Sequence, residues 1–111
     1  MYFLSQQEIE KRVSNRAVKI ALIGLGRVGL PLAVTLANDG FKVLGIDVKS
    51  EIVAKVNAGE SPFVDETGLE KIIQKVVASK ALKATTEIAG IKESDFIIIA
   101  VPTLIMAKIR R

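Results

Sequence analysis

Three glycines at fixed spacing, Gly24, Gly26 and Gly29 in the run GLGRVG, are the residues of this chain best suited to receive an anion. Where a strand turns into a helix, the first helical N–H groups lack partners and the helix dipole favours negative charge. The spacing assigns Gly24 to a tight turn and Gly26 to a backbone that a diphosphate can approach without meeting a Cβ. It assigns Gly29 to close contact between helix and strand. The N–H groups of Arg27 and Val28 stand where the diphosphate would lie. Arg27 either adds its own charge or is a solvated surface arginine, and the same glycines also suit a turn without a ligand.

Asp47 follows Gly29 by 18 residues. At the end of the next strand its carboxylate is placed to accept both ribose hydroxyls of an adenosine, the alternative being a plain loop acid. That geometry favours NAD over NADP, whose 2′-phosphate would face like charge, with Lys49 as a nearby cation. Val101-Pro102-Thr103 leaves another strand beside the first. Thr103 is placed either to donate to the nicotinamide half of the dinucleotide or simply to end the strand.

The elements that must position these residues are legible in the pattern. Val18 to Ile23 is apolar on both alternating faces, as in a covered parallel strand. Leu32, Ala33, Leu36 and Ala37 recur at helical spacing, with Pro31 in the first turn and Gly40 at the stop. Phe41 to Ile46 reads as the second strand, and Ser50 as the cap of a short helix through Asn57 that Gly59 ends. Leu69, Ile72, Ile73, Val76 and Val77 form an apolar stripe of a longer helix. Leu82 to Thr85 is a third strand, Thr86 caps a single turn before Gly90, and Phe96 to Val101 is the fourth strand. Alternating strands and helices predict an α/β fold, a Rossmann-like parallel sheet of four strands in the order 3-2-1-4 with helices on both faces. Residues 1–17 are read as a surface helix leading into the domain, 18–103 as the dinucleotide-binding unit and 104–111 as a divergent tail.

Composition narrows the chemistry. The 111 residues include no cysteine and no histidine, so no thiolate nucleophile, disulfide or imidazole base is available, and neither catalytic nor metal-binding residues are assigned. The net charge is +4, but residues 19–103 hold ten basic and ten acidic side chains, so the excess lies at the two ends. With few aromatic residues for base stacking, nucleic acid is not expected as a partner. Neither a leader pattern nor an apolar run long enough to span a bilayer is present, so no membrane association and a cytoplasmic location are expected.

These motifs together resemble the UDP-glucose/GDP-mannose dehydrogenases. The resemblance rests on Gly24 to Ala33, Gly45-Ile46-Asp47-Val48, Asn57-Ala58-Gly59-Glu60-Ser61-Pro62, Glu66-Thr67-Gly68-Leu69 and Ala100-Val101-Pro102-Thr103, in family order and spacing. It implies an NAD-binding domain from an enzyme that oxidises a nucleotide-sugar alcohol to a carboxylate with two NAD. The family usually carries Tyr at the position of Arg27, Pro at Thr67, and Lys or Arg at Ile52. Its catalytic cysteine and substrate domain fall beyond residue 111, so the resemblance implies a truncated unit without activity of its own. A stand-alone nucleotide-binding regulatory module and a folded remnant are the competing readings.

After Thr103 the chain leaves the family's pattern. Codon degeneracy allows a shifted frame over the codons for Thr103 to Lys108 to encode a family-like Pro-Asp-Asn-Gly-Lys, which suggests a frameshift. Truncation would leave the Phe96–Val101 edge open to self-association. Alternatively, Leu104, Ile105, Met106 and Ile109 cover it as a short helix, or the basic tail is frayed.

Overall fold

Alternation of buried residues along the strands decides how the chain layers. The computed structural model describes residues 18–63, 68–101 and 104–109, with Val101 and 104–109 as backbone. The helix expected within residues 1–17, together with Pro102 and Thr103, lies outside the described residues. The elements are β1 (Lys19–Ile23), α1 (Gly29–Asn38), β2 (Lys42–Ile46), α2 (Ser50–Asn57), α3 (Leu69–Ala78), β3 (Leu82–Thr85), a 3-10 helix (Ile88–Glu93), β4 (Phe96–Val101) and β5 (Leu104–Ile109).

One sheet contains all five strands in the order β3-β2-β1-β4-β5. The first four are parallel, as expected, with Ile20 opposite both Val43 and Phe96, and Val43 opposite Leu82. Register therefore puts Ile20, Leu22, Val43, Leu82, Ala84 and Phe96 on one face, where they join Leu30, Ala33, Val34 and Ala37 of α1, Val56 of α2, and Ile73 and Val76 of α3 in one core. Leu44 points the other way and meets the 3-10 helix at Gly90, where an added Cβ would displace the end of the Leu44 side chain. The α-helices thus cover one face and the 3-10 helix lies on the other. Along α3 the expected stripe is narrower than the sequence suggests, because Ile72 is 36% exposed at its margin.

Each α-helix ends in the same way. Beyond α1, Gly40 is left-handed at φ 106°, its N–H donating to the Ala37 carbonyl and that of Phe41 to Leu36. Gly59 and Glu60 repeat the pattern after α2, and Lys80 and Ala81 after α3. These are Schellman stops, and Lys80, at φ 67°, occupies a left-handed position that glycine normally fills.

Two capping expectations are corrected. Ser50 is the first helical residue of α2, not its cap, and Lys49 holds the cap position without a side-chain bond. Thr86 makes no cap either; the 3-10 turn begins at Ile88, and the Thr85 hydroxyl accepts the Glu87 N–H at 3.1 Å.

The tail is neither a short helix nor frayed over 104–109. It is β5, antiparallel to β4, with Val101 opposite Leu104 and Phe96 opposite Ile109. Only a strand can satisfy the row of backbone donors and acceptors along the rim of β4, which a covering helix would leave unmet. The Phe96–Val101 edge, expected to be open to self-association, is closed by the chain's own residues.

Candidate functional site

The carboxyl ends of β1, β2 and β4 converge on the glycine run. Gly24 leaves β1 at φ 101° and its N–H donates to the Ile46 carbonyl at 2.7 Å. A Cβ there would strike the Ala100 carbonyl oxygen at the end of β4. At Gly29, the first residue of α1, a Cβ would strike the Gly24 carbonyl oxygen and come within 3.1 Å of the Ala100 Cβ. Turn, helix and β4 can touch because these positions are small. Gly26 differs, since an added Cβ would meet nothing within 4 Å. The space beside it is open, as an approaching diphosphate requires.

The backbone donors of the turn divide into used and free. The Leu25 N–H donates to Asp47 Oδ2 at 2.8 Å, and the Leu30 N–H to the Gly26 carbonyl at 3.0 Å. Among the described residues nothing accepts from the N–H groups of Arg27 and Val28. Val28 caps α1 without a side-chain bond. The helix start therefore presents unpaired donors on the open side of the turn.

Asp47 is engaged twice by backbone, for Oδ1 also accepts the Lys49 N–H at 2.9 Å. An ionised carboxylate offers about four lone-pair sites. Two remain for the hydroxyls of a ribose. Leu25, between the first two glycines, is fully buried and lies over Gly45, where a Cβ would come within 2.8 Å of its side chain.

Arg27 is not purely solvated, and among the described residues no carboxylate pairs with it. Its guanidinium carbon lies 5.1 Å from the centre of the Phe63 ring, in the loop after α2. Ile52, where the resembling family carries a cation, is half-buried against the core. Val101 pairs with Leu104 through its backbone.

Sequence reasoning located Gly24, Gly26, Arg27, Val28, Gly29 and Asp47, and the fold brings these together. It assigned no part in the turn to Leu25, Phe63 or Ala100. A glycine inside β2 was the available signal for Leu25, because such a glycine marks close approach of another group; nothing local marks Phe63. It also missed Asn57, whose amide donates to the Ala84 carbonyl and accepts the Ala84 N–H, both at 2.9 Å, on the outer margin of β3.

A cleft of about 480 Å³ lined by Lys19, Lys42, Leu44, Lys80, Lys83 and Glu93 lies at the opposite, amino-terminal end of the strands and shares no residue with the turn. Among the described residues there is no cluster able to hold a metal ion, and no helix long and apolar enough to cross a membrane.

Comparison with known proteins agrees with this geometry. Residues 18–108 match the UDP-glucose/GDP-mannose dehydrogenase family, NAD binding domain, a span that runs past Thr103 into β5. UDP-N-acetyl-D-mannosamine dehydrogenase of Campylobacter jejuni is 43% identical over 89 residues, which is 80% of this chain and 21% of the relative. GDP-mannose 6-dehydrogenase of Pseudomonas putida is 40% identical over 87 residues, 78% of this chain and 20% of the relative. The solved ternary complex of GDP-mannose dehydrogenase from Pseudomonas aeruginosa superposes with a TM-score of 0.72 at 37% identity, over 77% of this chain and 20% of that one. The chain thus spans about a fifth of the length of these relatives. It belongs to the UDP-glucose/GDP-mannose dehydrogenase family, and the part of that family it represents is the NAD binding domain.

Proposed function

We propose that this chain binds NAD at the Gly24–Gly29 turn and Asp47, and that these 111 residues alone carry out no oxidation. The observation that carries the reading is the pairing of Asp47 with the Leu25 N–H, which fixes a carboxylate beside a turn whose outer donors meet no acceptor among the described residues. The residues fit the dinucleotide on their own chemistry. Gly26 leaves room for a diphosphate, the Arg27 and Val28 N–H groups supply its donors, and Asp47 retains acceptor sites for hydroxyls. A carboxylate at that position disfavours a 2′-phosphate, so NAD is preferred over NADP.

Bound NAD would supply a hydride acceptor. This chain's residues bind and orient the dinucleotide. A covalent route through a thiohemiacetal needs a thiolate, and the sequence has no cysteine. Calorimetric titration with NAD, NADP and ATP tests the binding, with NAD expected to be tightest. Binding of none of the three would leave a folded remnant. Mixing the chain with NAD and UDP-glucose or GDP-mannose should give no NADH absorbance, and any turnover would overthrow the second half of the reading.

A further inference from the structure

We propose that Phe63 is a positioning residue for phosphate recognition, its ring holding the Arg27 guanidinium beside the glycine turn without neutralising it. The inference rests on the NAD-binding reading above and deepens it.

Arg27 follows Gly26 directly, on the open side of the turn. Among the described residues no carboxylate pairs with it, and its one described partner is the Phe63 ring at 5.1 Å. A carboxylate would anchor the guanidinium but cancel its charge. An aromatic face attracts the cation through its quadrupole and carries no net charge, so this contact leaves the guanidinium charge available to an anion. Holding the side chain beforehand also removes part of the rotamer freedom that a free arginine would lose on meeting a phosphate.

The ring is itself held. Phe63 is half-buried against the core. The Ser61 hydroxyl donates to the Phe63 carbonyl at 2.9 Å and accepts the Phe63 N–H at 3.2 Å, while the Ser61 N–H donates to Glu70 Oε2 in α3 at 3.1 Å. A continuous series of contacts therefore runs from α3 through Glu70, Ser61 and Phe63 to the charge at the turn. The class of ligand group it serves is a diphosphate.

The test is a set of titrations of the whole chain with NAD, ADP and adenosine, followed by chemical shift. Phe63→Leu keeps apolar bulk and removes the quadrupole, and should weaken NAD and ADP about two- to five-fold while leaving adenosine unchanged. Phe63→Trp should restore wild-type affinity, and Phe63→Leu should have no further effect in an Arg27→Gln background. Equal loss for adenosine, failure of Trp to rescue, or an undiminished effect without Arg27 would each assign Phe63 to packing alone and overturn the proposal. Wild-type protein that binds neither NAD nor ADP would overturn the NAD reading and this one with it. Wild-type binding with an indifferent Phe63→Leu would overturn only this one.

Discussion

Asp47 Oδ2 accepts the Leu25 N–H at 2.8 Å, so a side chain at the end of β2 holds the backbone of the glycine turn that follows β1. The carboxylate assigned to ribose binding is therefore also a structural clamp, and its two roles separate by substitution. The N–H groups of Leu25 and Lys49 use different oxygens of Asp47, and Asn would set an NH2 donor against one of them. Asp47→Asn should lower stability by about 1 kcal/mol and weaken NAD binding. Urea unfolding and calorimetry check the two losses, and unchanged stability would show that the clamp contributes nothing.

Gly26 and Gly29 should fail in opposite ways. An added methyl at Gly26 meets open space, so Gly26→Ala should change stability by less than about 0.5 kcal/mol while weakening NAD binding. At Gly29 the methyl collides with the Gly24 carbonyl, and Gly29→Ala should destabilise by about 1–3 kcal/mol through overpacking. Thermal unfolding beside NAD titration distinguishes them, and a Gly26→Ala protein that binds normally would remove the open side of the turn from the site.

Lys80 pays a conformational cost that glycine would not, since it takes a left-handed φ of 67° at the stop of α3. Lys80→Gly should raise stability by about 0.5–1 kcal/mol, the steric relief exceeding the added freedom of the unfolded chain. A lowered melting temperature would show that the lysine side chain contributes more than its backbone loses.

β5 closes β4 by pairing along its whole length. Removing residues 104–111 should expose that rim and convert the chain to dimers or larger species, read by light scattering after size exclusion. A shortened chain that behaves like the full one at every concentration would mean that the rim needs no cover.

The parallel order of four strands was legible because each strand is a dense apolar run and each helix carries its own periodicity, although the buried face of α1 runs through Leu30, Ala33, Val34 and Ala37 and leaves the expected Leu32 and Leu36 only partly buried. The turn and Asp47 were legible because glycine spacing encodes backbone geometry. What escaped was set by tertiary neighbours. The run 104–109 has apolar residues at spacings that suit a helix as well as a strand, and only the unmet backbone of β4 decides between them. Arg27 and Phe63 are joined across the loop after α2, a distance that no local pattern reports. The caps at Ser50 and Thr86 failed by a single residue or turn, within the range over which several polar side chains compete for the same backbone N–H.

The amide of Asn57 occupies both the N–H and the carbonyl of Ala84, as the peptide group of a neighbouring strand would. The β3 margin of the sheet is consequently blocked in the middle of its four-residue strand, so a side chain stops the sheet there where a further strand would otherwise pair.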